Sequence, residues 1–106
     1  MYRSDDAIAI PELTETAQAG ARLFASNCAL CHGTHARGTE RGPPLVHEIY
    51  EPGHHPDAAF YRAVNQGVAS HHWSYGNMAP VPGVSHRSVT KIVAYVRELQ
   101  RANGIH

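Results

Sequence analysis

Leucine, isoleucine, valine and phenylalanine together supply only 20 of this chain's 106 residues, a share at which side chains struggle to offset the conformational entropy lost on folding. The aromatic residues number eight in all. Acidic and basic residues balance at nine each, so self-repulsion does not explain so sparse a core. The length is that of one domain spanning residues 1–106, and such a domain needs something besides its own side chains at its centre. A bound prosthetic group would fill that place.

Charge and targeting signals narrow the partners. The nine cations are eight arginines and Lys91, scattered without a stripe, which excludes nucleic acid as the principal partner. No run approaches the ~20 apolar residues of a membrane span, so no transmembrane segment is expected, and Met1-Tyr2-Arg3-Ser4-Asp5-Asp6 lacks the apolar stretch of an export signal. Nine histidines make the net charge climb steeply as pH falls through about 6.5. The pairs His54-His55 and His71-His72 invite a second metal site. Neighbours in sequence rarely chelate one ion from regular structure, however, and the expectation is solvated loop histidines that tune partner docking between about pH 6 and 8.

Three helical patterns emerge, separated by Pro/Gly-rich connections. The first runs from about Thr14, as N-cap, to Asn27, with Glu15 in the first turn and Ala17, Gly20, Ala21 and Phe24 on one face. A glycine inside a helix costs about 1 kcal/mol relative to alanine, so Gly20 asks for close approach by another helix. The second is short, capped at Asp57, turns Phe60, Ala63 and Val64 inward and ends at Gly67. The third starts at Ser85, with Val84 and Val89 placed as a hydrophobic staple and Val89, Ile92, Val93, Val96 and Leu99 forming a stripe. Between them lie Gly42-Pro43-Pro44, Glu51-Pro52-Gly53 and Met78-Ala79-Pro80-Val81-Pro82-Gly83, which no helix can run through. No segment alternates as a half-buried strand does, so the class is all-α.

Cys28-Ala29-Leu30-Cys31-His32 is the one short motif of high specificity, and C-x-x-C-H reads as covalent attachment of a c-type haem. Two thiols add across the vinyl groups as thioethers, a helical turn presents both sulfurs to one edge of the porphyrin, and His32 lies beneath the iron. The other nitrogen of that imidazole donates to a nearby carbonyl, which sets its tautomer. Two other readings exist. His35 would complete a C-x-x-C-H-x-x-H zinc cluster, although structural zinc sites usually draw their ligand pairs from separated stretches. A dithiol redox pair lacks the βαβ surroundings such pairs have.

With these residues in place, the chain resembles the small class I, monohaem cytochrome c family, bacterial type. Gly20 and Phe24 match its N-terminal helix pair, Ile92-Val93-Ala94-Tyr95-Val96 its C-terminal helix, Gly42-Pro43-Pro44-Leu45 its Gly-Pro-x-Leu loop, and Gly76-Asn77-Met78-Ala79-Pro80 its distal loop. The resemblance implies three main helices with long loops wrapped around one haem. It implies that the Pro43 carbonyl accepts from His32, that Leu45 lies at the haem, and that the Met78 sulfur binds iron opposite His32. Elimination supports Met78 too, since the other methionine is Met1, at the terminus. His71 and His72 are close enough in the chain to compete for that position. Trp73 and Tyr75 are candidate donors to a haem propionate, and Tyr95 is expected to pack on Phe24 or near Gly20.

Two filled axial positions leave no vacancy for substrate, so the resemblance implies an electron carrier and not an enzyme, working as a monomer that docks transiently with redox donors and acceptors at the exposed haem edge. The alternative is a haem subunit of an oxidoreductase or peroxidase-like enzyme. Covalent haem maturation outside the cytoplasm implies a periplasmic location, the signal peptide being absent from this chain.

Overall fold

Thr14 starts the first helix: its hydroxyl accepts from the Ala17 amide at 3.2 Å, satisfying one of the donors a helix leaves unpaired at its start. The computed structural model describes residues 8–69 and 76–106. Among them are α1 (Glu15–Asn27), α2 (Ala29–His32), α3 (Asp57–Gln66) and α4 (His86–Ala102), short 3-10 turns at Thr34–Ala36 and Glu48–Tyr50, and no strand. Only two isolated β-bridges occur there, Thr39 with Gly42 and Val68 with Met78. The architecture is helical, as the apolar patterns predict, and consistent with the class I cytochrome c fold.

The centre is the crossing of α1 and α4. A Cβ built on Gly20 would overlap the Lys91 carbonyl oxygen and come within 3.0 Å of Tyr95 Cβ, so the bare backbone lets the two helices meet. Around that point Ala17, Phe24, Ile92, Tyr95, Val96 and Leu99 are buried together, and the Phe24 and Tyr95 rings lie 5.5 Å apart, tilted by 60°. Ser85 caps α4 by accepting from the Ser88 amide at 3.1 Å, and Val84 packs against Val89 and Val93.

Two features depart from the sequence reading. Asp57 is not the cap of α3. Pro56 holds that place in an extended conformation with no side-chain bond, and the Asp57 carboxylate accepts instead from Arg97 Nε at 2.9 Å. The α4 stripe, in turn, is not wholly apolar, because Arg97 and Gln100 are buried in it. Their hydrogen bonds run to backbone carbonyls: Arg97 to Tyr50 (2.6 Å) and His55 (2.5 Å), Gln100 to Leu45 (2.9 Å) and Tyr50 (3.0 Å).

At the end of α4, Asn103 clasps the first described segment. Its Oδ1 accepts from the Ala9 amide at 2.7 Å and its Nδ2 donates to the Ala9 carbonyl at 2.9 Å. Glu98 reinforces the strap by accepting from both the amide and the hydroxyl of Thr14.

Candidate functional site

Helix α1 breaks at Cys28, and α2 resumes as a single turn. The amides of Cys31 and His32 both point back to the Cys28 carbonyl, at 3.2 and 2.9 Å, so the three chemically active side chains of the motif sit on successive steps of one tight coil. Cys28 is half-buried and Cys31 exposed. Burial, with the Cys31 thiol beside it, pushes the Cys28 thiol up to about 11. It therefore stays protonated at neutral pH, the opposite of the lowered value that marks a redox-active dithiol.

His32 is half-buried, and its Nδ1 lies 2.9 Å from the Pro43 carbonyl. A carbonyl only accepts, so Nδ1 carries the proton and Nε2 presents a bare lone pair. Burial holds the imidazole below the usual histidine value, opposed by the bond to Pro43, so His32 is neutral and ready to ligate. The Pro43 loop is itself pinned to the motif: Thr39 pairs with Gly42, and its hydroxyl donates to the Cys31 carbonyl.

Met78 approaches from the other long loop. Its amide and carbonyl pair with Val68 at 2.8 and 2.9 Å, and Val81 continues the contact by donating to the Val64 carbonyl at 2.8 Å. Gly67 makes this possible, since its φ of 79° suits glycine and a Cβ there would overlap the Met78 carbonyl oxygen.

Cys28, His32, Pro43, Leu45 and Met78 all line one cavity of about 540 Å³, walled also by Phe24, Phe60, Val64, Val89 and Ile92. That volume is in the range of small-molecule and cofactor sites. Its donors are a neutral imidazole and a thioether, a set suited to a soft-ligated iron porphyrin, and the Cys28 thiol lies beside them as a point of covalent attachment. Cys31 is not among the lining residues, and Trp73, Tyr75, His71 and His72 lie outside the described residues. The zinc reading finds no support: among the described residues no three His, Cys, Asp or Glu side chains are grouped to hold a metal, and His35 Nδ1 instead accepts from Arg37 at 3.1 Å.

Sequence reasoning missed the polar part of the wall, formed by Tyr50, His55, Arg62 and Gln66. His54 is exposed as expected, but His55 is not a free loop histidine. It is half-buried, its Nδ1 donates to the Ile49 carbonyl at 2.6 Å, and its ring lies 4.8 Å from that of Tyr50. No motif marks these residues; only their position just ahead of and along α3 brings them to the cavity.

No solved structure matches the chain. The family model for cytochrome c matches residues 17–100, which runs from the buried face of α1 through both loops of the cavity to the end of the α4 stripe. The chain belongs to the cytochrome c family, whose members bind haem covalently and generally serve in electron transfer.

Proposed function

We propose that the chain is a single-domain, monohaem electron carrier in which Cys28 and Cys31 would attach one haem c and His32 and Met78 would hold its iron. The observation that carries this reading is the shared cavity, into whose wall α2 brings an imidazole, its Nε2 lone pair left bare by the bond to Pro43, while the distal loop brings the thioether of Met78. When bound, the haem supplies a one-electron couple between Fe(II) and Fe(III). His32 contributes a fixed tautomer, held by Pro43. Met78 contributes a soft, neutral donor on a backbone fastened to Val68, and such a donor favours the reduced metal. Leu45, Phe24 and Phe60 exclude water from the space between them. Trp73 and Tyr75 belong to this proposal as partners for the propionates.

With His32 and Met78 both taken up in holding the iron, the chain would act as a carrier and not as an enzyme. Redox proteins dock transiently near the motif, where Cys31 is exposed and Leu30 is 75% exposed, an apolar contact suited to a small interface. Among the described residues no helix is long and apolar enough to cross a membrane. We place the chain, as a monomer, in the bacterial periplasm, where c-type haem attachment occurs.

Met78→Ala tests the ligand set. The oxidised wild type should show the weak deep-red band of thioether-ligated ferric haem; the variant should lose it, bind cyanide or azide, and have a lower reduction potential by spectroelectrochemical titration. An unchanged potential overturns the assignment.

A further inference from the structure

Arg97 is 5% exposed and Gln100 fully buried, and neither lines the cavity. Their donors nonetheless converge on it from behind. Arg97 donates to the carbonyls of Tyr50 and His55, and Gln100 to those of Leu45 and Tyr50. Leu45, Tyr50 and His55 are the cavity-lining residues of the segment between the Pro43 loop and α3. Each of them is thus held to α4 by its main-chain carbonyl, Leu45 by Gln100, His55 by Arg97 and Tyr50 by both. Arg97 Nη1 also donates to Gln100 Oε1 at 2.8 Å, which locks the two side chains together. The guanidinium lies 5.0 Å over the Phe60 ring, which itself lines the cavity. Its carboxylate partner Asp57 stays largely in solvent, its side chain 61% exposed.

Geometry of this kind does more than stabilise a loop. Main-chain bonds fix the segment whatever its side chains are, and a buried guanidinium that lost its acceptors would carry a large desolvation cost. The segment therefore has one arrangement, or the knot is broken. We propose that Arg97, with Gln100, is the positioning residue of the cavity's loop wall and thereby sets the reduction potential of the group held between His32 and Met78. The inference rests on the function proposed above. A loosened wall admits water, and the oxidised state, with one more positive charge, gains most from that polarity. Losing the cation one aromatic ring behind the wall acts in the same direction.

The test compares holoprotein variants Arg97→Gln, Gln100→Leu and Asp57→Asn by spectroelectrochemical titration and by amide hydrogen exchange at residues 45–55. Arg97→Gln and Gln100→Leu should each lower the potential, by at least about a threefold change in the oxidation equilibrium, and speed exchange at 45–55. Asp57→Asn, which leaves all four carbonyl bonds in place and uncovers the cation, should not lower it. Variants that melt earlier with an unchanged potential would make Arg97 a purely structural residue and overturn the proposal, as would a fall in potential in Asp57→Asn equal to that in Arg97→Gln. Should Arg97→Gln fail to take up haem, Gln100→Leu carries the same comparison with Arg97 intact. Failure of the ligand assignment shows separately, as a missing deep-red band in the wild type, while exchange at 45–55 reads the clamp in either case.

Discussion

At Gly20 a single hydrogen atom decides how near two helices come. Because any Cβ there would overlap the Lys91 backbone and not a flexible side chain, relief requires α1 and α4 to separate and so opens the packing around Phe24 and Tyr95. Gly20→Val should cost about 3 kcal/mol or more in urea unfolding, and Phe24→Leu, which keeps an apolar group in the same space, clearly less; the reverse order would show that the helices do not cross here. Gly20 was legible as a contact point because a helix-interior glycine has a cost that packing must offset. The roles of Arg97 and Gln100 were not, because a long polar side chain on a helix reads as solvent-facing and its burial depends on carbonyls about 50 residues away.

The helices were readable from their ends. Thr14 and Ser85 cap α1 and α4 as the sequence predicts, but they differ in what else they touch. Ser85 serves its own helix, whereas Thr14 also binds Glu98 through its amide and hydroxyl. Ser85→Ala should therefore cost about 1 kcal/mol and Thr14→Ala about 2 kcal/mol, both by chemical denaturation; equal costs would mean the hydroxyl's bond to Glu98 contributes nothing in solution. The start of α3 was misjudged by one residue because Asp57 has a use outside its own helix. His55 escaped because its place on the cavity wall follows from the Arg97 clamp and not from its neighbours in sequence.

Over the whole molecule, the shortage of apolar side chains and the cavity are one fact seen twice: α1, α3 and α4 present their apolar faces to a space no side chain fills. Its stability should have a definite pH window. Burial holds His35 and His47 below the usual value of 6.5, with Arg37 adding to the effect at His35. His47 Nδ1 accepts from the Ile49 amide at 3.1 Å and His35 Nδ1 from Arg37, so protonation breaks both bonds. As pH falls below 6.5 the unfolded chain takes up these protons first, and stability declines. Burial raises Tyr95 above its usual 10.0, so above that pH the unfolded chain loses its proton first and stability declines again. Urea midpoints of the holoprotein should be highest between these limits and fall from pH 7 to 5.5, a fall that His35→Asn with His47→Asn reduces; a flat profile would contradict the burial of these imidazoles.

The Asn103 clasp places Ala9 and Asn103 side by side although 94 positions separate them along the chain. A stretch of 95 residues whose first and last members are bonded in this way is topologically close to a ring. A short linker could join residues 8 and 106, and new ends cut at the exposed Pro52-Gly53 turn would divide the wall between Tyr50 and His55 while leaving the Pro43 and Met78 loops whole.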